Sequence, residues 1–375
     1  MTKFKPRTQS PFYYDIIGSF LRPQELKQAR ADLAQGKISQ ADLKQVEDQA
    51  IIDLLRQEEQ VGLQAVTDGE FRRSWWHLDF FWGFEGLNKA KAINGYQFHD
   101  EETRNETVKL TGKIKGNNHP FVEHFKFTKA HVSPNVQVKQ TMPSPGQLLF
   151  ELQRPENQAD VKAIYSNEDD LLQDIADAYL QVLQDLVAAG CRTVQFDDCT
   201  WGALIDWQEN HTQDITPDQI QQLKQTLVTL NNAVIDQAPQ DLTINTHVCR
   251  GNYHSTWAAA GGYDSIADPL FTSEHVNAYY LEYDTKRSGG FEPLKQVGNQ
   301  KQVVLGLITT KDGTLEDQAT IIQRVYEASQ YIPLENLALS PQCGFASTEE
   351  GNVLTAEQQW AKIRLIEDIA REIWH

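Results

Sequence analysis

The segment INTHVCRGN, Ile244 to Asn252, places a histidine and a cysteine two residues apart at the end of an apolar run. Read as a strand, Leu242 to Val248 sends residues two apart to the same face, so His247 and Cys249 address one site. Working outward, seven further runs rich in Val, Ile, Leu and Tyr share this character: YYDIIGSF (13–20), LQAVTDGE (63–70), VQVKQTMP (136–143), RTVQFDD (192–198), AYYLEYD (278–284), QVVLGLI (302–308) and NLALSPQ (336–342). Several lack the apolar and polar alternation of a half-exposed strand, as strands buried on both faces do.

Amphipathic stretches separate the runs. Leu172, Ile175, Tyr179, Leu183 and Leu186 recur at helical spacing between 168 and 189, and Gly190 follows as a stop. Ser39 is placed to cap a helix running to Gln60, Pro239 closes the helix carrying Leu223 to Val234, and Thr355 caps a last helix running to Trp374. Eight strand and helix units predict a single (β/α)8 barrel over residues 1–375. Residues 84–135 break the pattern: they are polar, with short alternating pieces such as ETVKLTGKIKG, and predict an antiparallel β insertion after the second strand, either a solvated excursion or a lid.

Composition narrows the partners. Fifty-two acids against 34 bases give a net charge of -18, which repels nucleic acid and anionic membranes. The basic N-terminal stretch MTKFKPRTQSPFYYD has no apolar segment behind it, and no run of about 18 apolar residues appears, so the expectation is a cytoplasmic protein. Four cysteines are too few for a disulfide framework in a chain this long, which leaves thiols for metal binding or catalysis.

Barrel chemistry belongs at the C-terminal ends of the strands. Those ends carry Gly18-Ser19, Asp68-Gly69-Glu70, Pro143-Ser144, Asp197-Asp198-Cys199, His247 and Cys249, Glu282, Thr309-Thr310-Lys311, and Cys343-Gly344. His247, Cys249, Glu282 and Cys343 offer one nitrogen, two sulfurs and one oxygen, a set that suits tetrahedral Zn2+. Singly, a buried cysteine is an ordinary core residue and a strand-end histidine an ordinary polar one; jointly they point to metal. Cys191 begins a strand, at the wrong end, and reads as core, while Cys199 lies at the right end but among acids and is a weaker candidate. Two thiolates and a carboxylate make the metal too electron-rich to activate water well, but able to hold a substrate thiol as a thiolate, which points to alkyl transfer.

The stretches IIGSFLRP, VTDGEFRR, QFDD, THVCRGN, YYLEYD and LSPQCGF, in this order along the chain, resemble the catalytic domain of cobalamin-independent methionine synthase, most nearly its short single-barrel members. The resemblance implies methyl transfer from 5-methyltetrahydrofolate, or its polyglutamate, to the thiol of homocysteine on zinc held by His247, Cys249, Glu282 and Cys343. It also implies that Gly18 and Ser19 hold the amino-acid carboxylate and that Glu70 and Asp197 hold its ammonium. A salt bridge from Glu70 to Arg72 or Arg73, or a helix cap at Asp197, is the plainer alternative.

Three departures stand out. The expectation is the catalytic barrel alone, without the duplicated N-terminal barrel of long family members; Asp197-Asp198-Cys199 replaces an Asp-Glu-Pro, and TTKDG replaces the segment carrying a proton-donating histidine, with Lys311 or Asp312 the substitute to look for there. Among RRSWWHLDFFWGFEG, Trp75 and Trp76 are the candidates to stack on a flat pterin, with packing of the barrel top as the alternative. A polyglutamate tail finds little encouragement in so acidic a chain. Transfer to a different thiol, as in alkyl-coenzyme M enzymes, or from a different donor keeps the same zinc chemistry; a zinc hydrolase and a structural zinc protein are the remaining readings. Two acids around an ammonium favour homocysteine.

Overall fold

The computed structural model describes residues 4–210 and 215–375; Met1 to Lys3 of the N-terminal stretch lie outside the described residues. Among the described residues there are eleven strands: β1 (Ala65–Val66), β2 (Glu85–Lys91), β3 (Gln97–Phe98), β4 (Glu101–Glu102), β5 (Glu106–Lys115), β6 (Gln137–Pro143), β7 (Thr193–Asp198), β8 (Thr243–Val248), β9 (Ala278–Glu282), β10 (Gln302–Ile308) and β11 (Leu337–Pro341). Seven form one curled parallel sheet in the order β1-β6-β7-β8-β9-β10-β11. Strands β7 and β9 are buried along their whole length; β9 accordingly runs apolar on both faces up to Glu282, whereas β7 keeps Thr193, Gln195 and Asp197 on one buried face.

The first predicted run does not join the ladder. Tyr14 makes one parallel bridge to Leu339 of β11, with Asp15 N donating to Leu339 O at 3.0 Å and Leu339 N to Tyr13 O at 2.9 Å. Beyond it, side chains satisfy the backbone instead of a neighbouring strand. Lys139 Nζ donates to Ile16 O, Gln195 Nε2 to Ile17 O at 2.8 Å, and Thr67 Oγ1 to Gly18 O at 2.6 Å. Asp15 also takes its neighbour's Ile16 N–H at 2.7 Å. The sequence period cannot distinguish such a run from a strand, because its buried carbonyls are equally well paired.

The helices follow the expected start and stop signals. Ser39 and Thr355 each form a reciprocal capping box, opening Gln40–Gln60 and Ala356–Trp374. Asn167 caps Glu168–Ala188, whose first turn carries three acids toward the positive helix end, and Gly190 (φ 92°) takes the left-handed turn that stops it. The helix ahead of Pro239 is Pro217–Ile235.

Residues 84–135 hold the antiparallel pair β2–β5, the small hairpin β3–β4 and, beyond the β structure expected there, a helix Pro120–Ala130. Pro120 in its first turn and the His119 ring accepting from Phe121 N start that helix, and Phe121, Val122 and Phe125 bury its inner face. Among the described residues no helix is long and apolar enough to cross a membrane.

Candidate metal centre

Three of the four expected ligands meet. The donor atoms of His247, Cys249 and Cys343 lie within 4.8 Å of one another, all three residues buried, and the two sulfurs are 3.7 Å apart. The ladder explains the histidine's aim: His247 pairs with Tyr280 of β9, and its Nδ1 bonds Tyr280 O at 3.1 Å. With that nitrogen carrying the proton, Nε2 keeps a bare lone pair, and Nε2 is buried with no hydrogen-bond partner. An unpaired imidazole nitrogen beside two thiols is costly without a cation and suited to one.

Cys343 is delivered by a turn after β11. A Cβ on Gly344 would come within 1.9 Å of Ser19 Oγ, so only glycine lets the turn lie against Ser19. Ser19 fixes the turn by accepting from Ala346 N (3.2 Å, Oγ) and Phe345 N (2.9 Å, carbonyl). The Cys343 thiol is held well above its ordinary value, first by Cys249 and then by burial; the Cys249 thiol is raised likewise, first by Cys199. Cys199 therefore stands against Cys249 but outside the three-residue group. Cys191 is core, hydrogen-bonded to Thr193 O and pushed up to about 12 by burial.

Glu282, the expected fourth ligand, is not in the group. Its Oε1 accepts Arg250 N at 2.7 Å, and Oε2 lies 3.1 Å from Arg287 and 4.0 Å from Lys311. Burial alone would raise this carboxyl, but Lys311, Arg287 and Arg250 outweigh it and hold it below its ordinary value. Strand position alone could not show this, because the cations lie outside the strand, Arg287 just after it and Arg250 and Lys311 in segments more distant in the chain.

Glu70 and Asp197 stand in the same cavity of about 730 Å³, with Ser19, Trp76 and the three metal-type residues. Glu70 has a left-handed backbone (φ 61°), uncommon for a residue with a side chain and a mark of imposed geometry. Its Oε1 accepts Thr141 Oγ1 at 2.9 Å and lies 3.3 Å from Arg73, while Oε2 is buried with no partner. The salt bridge to Arg73 is thus present and still leaves one oxygen free. Burial first and Glu70 second raise the Asp197 carboxyl to about 8, as expected of two carboxylates facing one space. Strand alternation separates Asp197 from Asp198, which turns outward and binds Thr200 N at 3.0 Å at the start of helix Thr200–Asn210. Gly18 is not among the cavity-lining residues; a Cβ there would lie 2.6 Å from Thr141 Cγ2.

Trp75 and Trp76 both line the cavity. Trp75 is 2% exposed, with Nε1 on Glu106 and Arg104 over its ring, so packing governs it; Trp76 is the more open. Sequence reasoning missed Phe150 and Trp207, stacked at 5.4 Å, and Tyr96. They come from helices and from the excursion before β3, outside the strand ends where chemistry was sought. Lys311 and Asp312 do not line the cavity.

A parallel α/β sheet with an imidazole and two thiols at its C-terminal ends defines a class of metal-binding enzyme folds. The chain belongs to the cobalamin-independent synthase catalytic-domain family, whose model matches residues 159–367. It is 41% identical over 374 residues to the uncharacterized protein YxjH of Bacillus subtilis, covering 99% of this chain and 97% of that one. A Listeria monocytogenes structure solved as a candidate vitamin-B12-independent methionine synthase superposes with TM-score 0.77 at 35% identity, covering 97% of this chain and 98% of that one. A B12-independent methionine synthase from Shewanella sp. W3-18-1, in complex with selenomethionine, shares the fold with TM-score 0.70 at 17% identity, covering 96% and 97%.

Proposed function

We propose that this chain is a cytoplasmic zinc-dependent methyltransferase that moves the methyl group of 5-methyltetrahydrofolate to the thiol of homocysteine, giving methionine, and that it folds as one domain, an eight-unit barrel closed by Tyr13–Phe20. One observation carries the reading: a nitrogen and two sulfurs without competing cations share a cavity with a pair of carboxylates, one of whose oxygens is unpaired. The donor set fits Zn2+, held by His247, Cys249 and Cys343 with one position open; Glu282 joins only by giving up Arg287. Bound there, Zn2+ would supply stabilisation of a substrate thiolate at neutral pH.

The chain's own residues do the rest. Glu70 Oε2 and Asp197 accept the homocysteine ammonium, which displaces the Asp197 proton, and Ser19 lies on the side of the cavity toward the carboxylate. The sulfur attacks the methyl carbon, the methyl to N5 bond breaks, and the electron pair stays on N5, which takes a proton. Trp76 offers a face for the flat donor ring. Two acids recognise nothing on a thiol acceptor that lacks an ammonium, so an amino-acid thiol is the better substrate.

The test is methionine formation from homocysteine and 5-methyltetrahydrofolate, as monoglutamate and as triglutamate, by the zinc-loaded protein. A cobalt-substituted sample reports the acceptor separately: homocysteine should change its visible absorption, and an unchanged spectrum removes homocysteine from the reading.

A further inference from the structure

The reading above needs a proton for the leaving nitrogen, and the positions where sequence placed one do not supply it. Lys311 is drawn to Glu282 and Asp284, and Asp312 accepts Thr314 N at 2.8 Å; neither lines the cavity. Among the described cavity-lining residues, Glu70 and Asp197 serve the ammonium, Glu156 is paired with Arg154 at 2.9 Å, and Asp206 accepts Asn210 and Ala260 N. Cys199 stands against Cys249, and Tyr253, His77, Tyr96 and Glu151 remain; of these the last three are hydrogen-bonded to one another, brought together from three separate elements.

They form a chain: Tyr96 Oη lies 2.9 Å from His77 Nε2 and 2.7 Å from Glu151 Oε2. Tyr96 is half-buried with a face to the cavity, while His77 and Glu151 are 3% and 1% exposed. We propose that Tyr96 protonates the leaving nitrogen, with Glu151 as its proton reserve and His77 fixing the phenol.

The arrangement requires a particular set of protons, because burial first, and then an ionised Glu151, raise the Tyr96 phenol well above its ordinary value. A phenol oxygen has one proton and two lone pairs. If His77 carries its hydrogen on Nε2 and Glu151 is a carboxylic acid, both donate to Oη, and the phenol's own proton is left for the cavity. The bare Nδ1 this requires of His77 is buried and without a partner, and burial holds that ring neutral, its pKa lowered to about 3. Burial likewise raises the Glu151 carboxyl, against Arg154 at 3.9 Å, whose guanidinium is shared with Glu156, and against hydrogen bonds from Thr107 and, when the carboxyl is ionised, from Tyr96. Were Glu151 ionised, Tyr96 would donate to it and the cavity would lose its proton.

The step balances. The carbon to sulfur bond forms, the carbon to nitrogen bond breaks, nitrogen takes the Oη proton, and the Glu151 proton moves to Oη, leaving a carboxylate that solvent recharges.

This rests on methylfolate as donor, so the experiment compares two donors. Iodide leaves without a proton, so methyl iodide probes thiol activation alone. Tyr96→Phe should lose about 100-fold in kcat with 5-methyltetrahydrofolate, the usual worth of a positioned acid, while still methylating homocysteine from methyl iodide at the wild-type rate. Glu151→Gln should repeat the pattern, and thermal melting confirms that each variant folds. Equal losses with both donors would reduce Tyr96 to a wall residue, and an unchanged kcat with methylfolate would end the proposal outright. A wild-type protein that uses methyl iodide but not methylfolate would instead overturn the donor, and the relay with it.

Discussion

Two buried polar clusters lie within the same parallel sheet and differ in one respect. In the middle of the sheet, Lys139 bonds Asp15 at 3.0 Å and Gln195 at 2.9 Å, and Tyr280 bonds Asp15 at 2.9 Å; all four side chains have their partners. At the C-terminal ends of the strands, His247 Nε2 and Glu70 Oε2 are equally buried and have none. Burial is common to both, so burial does not mark the site; nor does an unpaired atom by itself, since Asn245 of β8 is buried with neither amide atom partnered, but unpaired atoms lining the cavity do, because each costs about 1–3 kcal/mol unless a ligand completes it. Gln195 joins the two layers: Lys139 fixes its carbonyl oxygen, so its amide group must face Asp197, bonding Oδ1 at 2.7 Å.

The sharpest way to break this contrast is to unpair the satisfied layer. Lys139→Met should cost about 3–5 kcal/mol by leaving the Asp15 charge uncompensated, read from urea unfolding; a loss below 1 kcal/mol would mean that the inner cluster is as incomplete as the outer one. Next in size, Cys343→Ser should reduce bound zinc and lower methionine formation at least about 100-fold, with the unfolding midpoint of the metal-free protein little changed. Glu70→Gln should raise the homocysteine KM about 10-fold or more, the worth of one charge-assisted hydrogen bond, and leave the methyl-donor KM alone; equal increases in both would place Glu70 in general packing.

The smallest effect concerns protons. The raised Asp197 carboxyl is protonated at pH 7, and an incoming ammonium favours its charged form, so methionine, which has no thiol to lose, should release up to one proton on binding. Calorimetry in two buffers of different ionisation enthalpy measures this. The linked stability has a definite sign: between the unfolded value of 3.8 and about 8 the native state binds the extra proton, so stability from this group falls as pH rises through that window.

Much of this was legible in the chain. Helix starts at Ser39 and Thr355 and the stop at Gly190 are local chemistry, and the tool needed to read them is the side chain itself. His247, Cys249 and Cys343 were legible because strand ends converge whatever the loops do. What escaped was non-local. The first run resembles a strand although Lys139, Gln195 and Thr67 replace its neighbour, and Glu282 reads as a ligand until Arg287 and Lys311 are seen beside it. The helix Pro120–Ala130 was hidden by the polar, alternating residues before it.

The contact between Ser19 and Gly344 has a consequence for biosynthesis. The acceptor's two proposed anchors, Ser19 and Glu70, lie early in the chain, and the last sulfur, on Cys343, is added long after them. A nascent chain can fold its early strand and helix units as they appear, yet the proposed metal site stays incomplete until the turn carrying Cys343 closes over Ser19. On that reading metal loading waits for Cys343: a chain cut short before residue 343 would lack the third donor of the proposed site.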